Sequence, residues 1–369
     1  MNSISDQENC WQYLIYGSGA VGSTIGARLW LSGKQVTLVA RGEHARVLKK
    51  QGLRFLTPEE DQILEIPSVD RITEIDFKKQ IVVLLCVKSQ QTKLAIEELA
   101  IIAPPDTPIC CVQNGVSNER TVLRYFKNVY ATLVNLPAMH LKAGEVASYV
   151  SGLAGVLDTG KFPTGTDVLN RVITDDLRGA GFGAVPDPKV MRKKYGKLLM
   201  NVGNAVQAII DPEEDVKEIY RAVRKETEAV YSAGNIDYAD MKEMSDLTEE
   251  MKITAVPGYE RTASSSWQSL MRNTGDIETD YLNGEISLLG RMHGIPTPYN
   301  DHLARIAREF VLNNRILPQS SNRHIELEDS LNASDAIGGA CAVVFEDEEL
   351  QKKIIEKYKK SVFQGYLLI

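Results

Sequence analysis

The sequence predicts an α/β protein: a doubly wound parallel sheet in the N-terminal half and an all-helical region after it. Three observations carry that reading. Short β-branched runs alternate with amphipathic stretches up to about residue 187. A glycine-rich turn joins the first run to the first helix. From about residue 188, long periodic segments replace the strand-like runs.

Taken in order, residues 13–16 (YLIY) read as a buried strand, 20–32 as a helix that stops before Gly33, and 35–40 (QVTLVA) as a second strand. Residues 81–87 and 108–112 are further strands, and 129–134 follows a helical stretch that begins at Ser117. Apolar strands separated by helices belong to a parallel sheet covered on both faces. The later periodic segments are 193–210, 213–233, 277–293 and 299–313. Breakers punctuate them at Asp211-Pro212, Gly234-Asn235, Pro257-Gly258 and at Gly294 with Pro296 and Pro298. The expected domains are 11–187 and 188–318, with 319–369 a C-terminal extension of unassigned role.

Composition excludes several classes. The chain has 369 residues, with 42 Lys+Arg against 49 Asp+Glu and a net charge of −7. A mildly acidic total argues against general nucleic-acid binding, which needs a concentrated basic surface. No apolar run approaches the roughly 20 residues that span a bilayer, so no membrane partner is expected. The polar N-terminus lacks a secretory pattern, and a reducing cytoplasm is the expected compartment. The five cysteines, Cys10, Cys86, Cys110, Cys111 and Cys341, form no CxxC, and no HExxH occurs, so neither a disulfide framework nor a metal site is expected.

The first motif with chemistry is Gly17-Ser18-Gly19-Ala20-Val21-Gly22, a G-x-G-x-x-G placed directly between a strand and a helix. Gly17 allows the tight turn, Gly19 lets a pyrophosphate approach the backbone, and Gly22 lets helix and strand pack closely. The helix N-terminus offers N–H donors to the anion. The second strand ends Val39-Ala40-Arg41-Gly42, without the carboxylate that NAD-specific sites use. Arg41 suits a 2′-phosphate, so NADP(H) is favoured over NAD(H); the alternative is a solvated strand-end charge. Lys88 and Asn114 each follow a strand, at the carboxyl edge where ligands bind in open α/β sheets. Either residue also reads as an ordinary turn position.

In the helical half, 195–210 is apolar nearly all round, which marks a buried helix. Yet Lys197, Asn201 and Asn204 fall at i, i+4 and i+7, on one stripe. A buried ammonium needs a carboxylate, a cavity or a ligand; the plainer reading is a snorkelling Lys beside two interhelical Asn bonds. Asp276, Glu278 and Asp280 open the 277–293 segment, where they either complement the helix dipole or give Lys197 a partner.

These residues resemble the ketopantoate reductase (2-dehydropantoate 2-reductase) family. The likeness rests on Gly17 to Gly22, Arg41-Gly42, Val87-Lys88, Gln113-Asn114-Gly115-Val116, Lys197-Leu198 with Asn201, Ser266, the run from Glu278 to Gly284 and His293-Gly294-Ile295-Pro296-Thr297-Pro298. It implies a Rossmann-type domain followed by a helical domain similar to the C-terminal domains of 6-phosphogluconate dehydrogenases. It also implies NADPH-dependent reduction of a 2-oxo acid, with 2-dehydropantoate to (R)-pantoate as the family reaction. By position, Lys197 matches the general acid and Glu278 the active-site carboxylate. Asn114, Asn201 and Ser266 match substrate contacts, with Asn204 one residue short of another, whose own place is taken by Ala205. Asn114, Arg41 and Lys88 match the cofactor side with the glycine turn. Monomer and homodimer are both open. The rival readings are a reductase of a different 2-oxo acid or imine, and a non-catalytic NADPH-binding regulator. A His–carboxylate dehydrogenase ranks last, since none of the five histidines sits in such a motif.

Overall fold

The computed structural model describes residues 11–209, 217–259 and 278–312. They form two compact units, 11–197 with 238–259 and 198–237 with 278–312.

The first unit opens with β1 (Gln12–Tyr16), α1 (Ala20–Leu31), β2 (Val36–Val39) and α2 (Gly42–Gln51). Next come β3 (Leu53–Leu56), β4 (Asp61–Leu64), β5 (Ser68–Val69), β6 (Ile81–Leu85), α3 (Thr92–Ile102), β7 (Ile109–Cys111), α4 (Asn118–Val122) and β8 (Val129–Thr132). Then follow β9 (Ala138–Lys142), β10 (Glu145–Ser148), β11 (Val150–Gly152), β12 (Thr159–Lys161), α5 (Val168–Gly179) and α6 (Val190–Asn201). The main sheet has seven strands in the order β12-β8-β7-β6-β1-β2-β5. All its pairings are parallel except that of the edge strand β12 with β8. This is the doubly wound arrangement, and its strand order reverses at β1 and β6, where such sheets bind ligands beyond their carboxyl ends.

Strand alternation explains why these runs are apolar throughout. Tyr13 and Ile15 of β1 join Leu38, Val82, Leu84 and Cys110 in one core. Leu14 and Tyr16 join Val83, Leu85, Ile96 and Cys111 in a core on the opposite face. Both faces are covered, so neither register position can be polar.

Two features depart from the sequence expectation here. A second sheet, β4-β3-β10-β9, is formed by strands of only four or five residues; β4 is buried only at Leu64. The region after residue 188 is also not wholly helical: β13 (Met251–Ile253) pairs antiparallel with β11.

The second unit contains α7 (Asn204–Ile209), α8 (Lys217–Ala233), a 3-10 turn at Glu278–Tyr281, α10 (Asn283–His293) and α11 (Pro298–Leu312); α9 (Met241–Asp246) belongs to the first unit. The periodic segment 193–210 is therefore not one helix. α6 and α7 are separated at Val202-Gly203. The Val202 carbonyl accepts a bond from Asn283 Nδ2 at 2.9 Å. A Cβ on Gly203 would lie 2.2 Å from the Tyr220 ring, so the turn needs Gly there. Asn204 consequently does not continue the stripe of Lys197 and Asn201. The 277–293 segment is likewise broken: Leu282 (φ −113, ψ −85) separates the 3-10 turn from α10. Within this unit Glu226 of α8 accepts the Tyr299 and Asn300 N–H groups at 2.8 and 3.0 Å, which caps α11. Burial pushes the Glu226 carboxyl up to about 7. No helix among the described residues is long and apolar enough to cross a membrane.

The start of α6 is tied down by three consecutive cations. Arg192 makes paired bonds of 2.6 and 2.7 Å to Glu243 of α9. Lys193 reaches Asp158 at 2.6 Å and Asp187 at 2.9 Å. Lys194 meets Glu119 of α4 at 2.7 Å, both essentially unexposed at 2% and 0%. Lys194 also donates to the carbonyls of Gln113 at 2.8 Å and Thr132 at 3.3 Å. Gly196 lets the helix pack closely on the segment before α9, since a Cβ there would meet the Ala239 carbonyl at 2.4 Å. Removing one member of a buried pair leaves an uncompensated charge. Lys194→Met or Glu119→Gln should each lower stability by about 3–5 kcal/mol, while the double variant should lose less than the sum. Chemical denaturation of the three variants measures this.

Candidate active site

The site is assembled from turns that leave the carboxyl ends of successive strands. After β1, Gly17 adopts φ +107, and a Cβ on it would lie 2.7 Å from Val87 N. A Cβ on Gly22 would lie 2.2 Å from the Gly17 carbonyl, whereas one on Gly19 would meet nothing within 4 Å. The turn is thus closed on its inner side and open over Gly19. Ser18 is buried and donates its hydroxyl to the Val39 carbonyl at 3.0 Å. Its own carbonyl accepts from Ser23 at 2.8 Å. α1 begins at Ala20 with no side-chain cap and no acidic residue in its first turn. These are the features a diphosphate needs: close backbone, unpaired helix N–H donors and no repelling carboxylate.

After β2, Arg41 is exposed and precedes α2. Its guanidinium pairs with Glu98 of α3 at 2.6 Å, and the Tyr16 hydroxyl donates to the same carboxylate oxygen at 2.7 Å. The turns after β6 and β7 are cross-linked. Gln113 Nε2 donates to the Val87 carbonyl at 2.8 Å and to Thr92 Oγ1 at 2.7 Å. Asn118 Nδ2 donates to the Asn114 carbonyl at 3.1 Å and to Ser89 Oγ at 3.2 Å, and Thr92 donates to Asn118 Oδ1 at 2.8 Å. This net fixes Lys88 and Asn114, both half-buried, on neighbouring turns.

Through Lys194, α6 is fastened to carbonyls just beyond β7 and at the end of β8. One turn later Lys197 Nζ donates to Asn135 Oδ1 at 3.3 Å. Asn135 is itself fixed, since its backbone exchanges two bonds with Val156 at 3.0 and 2.9 Å. Within the first unit no carboxylate among the described residues lies in ion-pairing reach of Lys197. Burial alone lowers its amine to about 8. A neutral amide holds the ammonium without adding the negative charge that would raise its pKa again. Asn201, the next turn along α6, is buried, and its Nδ2 has no hydrogen-bond partner among the described residues.

In the second unit Glu278 is buried within the 3-10 turn and Asn204 is half-buried at the start of α7. Asp280 is bound to Arg308 at 2.5 Å, so its carboxylate is committed there. Ser266 and Asp276 lie outside the described residues. The first unit therefore brings Gly17 to Gly22, Arg41, Lys88, Asn114 and Lys197 to one sheet edge. Asn118, Asn135 and the Lys194–Glu119 pair do not stand out in the sequence. The signal for Asn135 was there, since it too is an Asn just past a strand end. Among the described residues no group of three or more His, Cys, Asp or Glu could hold a metal ion.

The glycine cradle, open over Gly19, has the clearance a dinucleotide's diphosphate needs. The family model described as Ketopantoate reductase PanE/ApbA matches residues 13–163, and that of its C-terminal region matches 189–311. A 2-dehydropantoate 2-reductase of Lactococcus lactis subsp. lactis is 24% identical over 302 residues, 79% of this chain and 95% of its own. The crystal structure of a PanE/ApbA family ketopantoate reductase from Ralstonia eutropha JMP134 aligns with a TM-score of 0.70 at 25% identity, over 83% of this chain and 99% of that one. D-mandelate dehydrogenase, in a ternary structure with NADH and anilino(oxo)acetate, shares the fold with a TM-score of 0.71 at 21% identity, over 83% and 99% of the two chains.

Gly22→Ala should cost about 1–3 kcal/mol by overpacking the turn, whereas Gly19→Ala, whose Cβ enters open space, should leave the thermal midpoint unchanged. Melting curves of the two variants separate these outcomes.

Proposed function

The chain belongs to the ketopantoate reductase PanE/ApbA family, and on that premise we propose that it reduces a 2-oxo acid, 2-dehydropantoate, to the 2-hydroxy acid (R)-pantoate with NADPH. The observation that carries this reading is Lys197. It is a half-buried amine at the carboxyl edge of a dinucleotide-binding sheet, lowered to about 8 and met by an amide rather than a carboxylate.

Residues Gly17 to Gly22 would hold the cofactor's diphosphate, Arg41 and Lys88 its 2′-phosphate, and Asn114 would lie on the cofactor side of the oxo acid. When bound, NADPH supplies the hydride that reduces the C2 carbonyl. Lys197, protonated at neutral pH, donates a hydrogen bond to the carbonyl oxygen and transfers its proton as charge develops there. An amine near 8 is charged enough to stabilise that oxygen and acidic enough to release the proton. Asn135 keeps the amine in place without neutralising it. The unpartnered Nδ2 of Asn201 is a donor suited to the substrate's carboxylate or hydroxyl, and donor alignment matters because the reaction demands close orientation. Glu278 and Ser266 are assigned to the active site by their place in the family pattern, and Asn204, one residue before the family position held here by Ala205, is kept as a candidate substrate contact. Dinucleotide binding is assigned to 11–187 and oxo-acid binding to 188–318.

NADPH consumption with 2-dehydropantoate, against a panel of other 2-oxo acids, tests the reaction. Lys197→Ala should lower kcat by about 10²–10⁴-fold and leave NADPH affinity intact. Equal loss of both would make the lysine structural. For the intact enzyme kcat/KM of reduction should fall as pH rises through about 8, because only the protonated amine donates. A rate flat to pH 9.5 would contradict that assignment.

A further inference from the structure

We propose that Glu98 sets the strength of the preference for NADPH over NADH, by competing with the cofactor's 2′-phosphate for the Arg41 guanidinium. The inference rests on the cofactor reading above and goes beyond it. NAD-specific sites carry a carboxylate at the end of the second strand, and NADP sites use an Arg there. This strand ends on Arg41 with no carboxylate. The carboxylate arrives instead from α3: Glu98 Oε2 lies 2.6 Å from Arg41 NH2.

An exposed ion pair is by itself weak. This one has an anchor. The Tyr16 hydroxyl donates to the same Glu98 oxygen at 2.7 Å, and Tyr16 is a buried residue at the end of β1, immediately before Gly17. The carboxylate is therefore held by a phenol rooted in the central strand, next to the phosphate-binding turn. Three consequences follow for the two cofactors. A 2′-phosphate must displace Glu98 from the guanidinium or share the guanidinium with it. It also meets a like charge nearby, which costs energy even near a surface. A ribose 2′-hydroxyl has neither penalty, and it can donate to a carboxylate. Glu98 thus weakens NADPH binding and leaves NADH unharmed.

The test measures binding rather than turnover, on the full chain. Dissociation constants for NADPH and NADH are read by cofactor fluorescence, and those for 2′,5′-ADP and 5′-ADP by calorimetry. Glu98→Gln keeps the size of the side chain while removing its charge, at an exposed position. It should tighten NADPH and 2′,5′-ADP by about two- to fivefold, the range an exposed ion pair is worth, with no gain for NADH or 5′-ADP. Arg41→Ala is the control. If Arg41→Ala weakens NADPH but Glu98→Gln leaves the NADPH-to-NADH ratio unmoved, the role of Glu98 is overturned and the cofactor reading stands. If Arg41→Ala does not weaken NADPH, the 2′-phosphate assignment itself fails, and the role of Glu98 fails with it.

Discussion

Three cations at the start of one helix govern the site. Arg192, Lys193 and Lys194 each bind a carboxylate of the first unit, on α9, on the strand-end loops and on α4. Together they lay α6 across the carboxyl ends of β7 and β8. The fourth cation of the helix, Lys197, is presented at that edge with only the Asn135 amide to meet it in that unit, among the described residues. Had a carboxylate stood in the place of Asn135, the amine would be held charged and would release its proton poorly. One helix thus carries both carboxylate-paired lysines and one that is met by an amide.

The cofactor side obeys a different constraint, that of backbone clearance. Gly17 and Gly22 are glycines because neighbouring main-chain atoms occupy the space of a Cβ, and Gly19 is one that faces open space. The hydrogen-bond net of Gln113, Asn118 and Thr92 then locks the turns after β6 and β7 to each other. Preorganised turns of this kind fix Lys88 and Asn114 in place, which spares the cost of ordering them should a ligand bind there.

What the sequence made legible was local. The strand–glycine turn–helix unit, the central strands and the i, i+4 placement of Lys197 and Asn201 on α6 were readable from spacing and hydropathy, because each depends on neighbours within a few residues. The break at Val202-Gly203 was not, since apolar periodicity runs straight through it. Its cause is Asn283, 81 residues away, together with the Tyr220 ring. The second sheet escaped notice because its strands are only four or five residues long and mix polar with apolar positions. Glu119 and Glu98 look like ordinary helix-surface acids in sequence, and only the fold shows that one is fully buried against Lys194 and the other tethered to Tyr16. Asp280, one of three acids that could either complement a helix dipole or meet Lys197, is taken by Arg308.

The most direct measurement is the titration of the Lys197 amine itself, by NMR of the protein with 13C-labelled lysine, the signal being assigned through its loss in Lys197→Arg. Its midpoint should fall near 8, where burial puts it. A midpoint in the ordinary lysine range, about 10.4, would mean that the amine is solvated or paired with a carboxylate, and the proton-donor role would not stand.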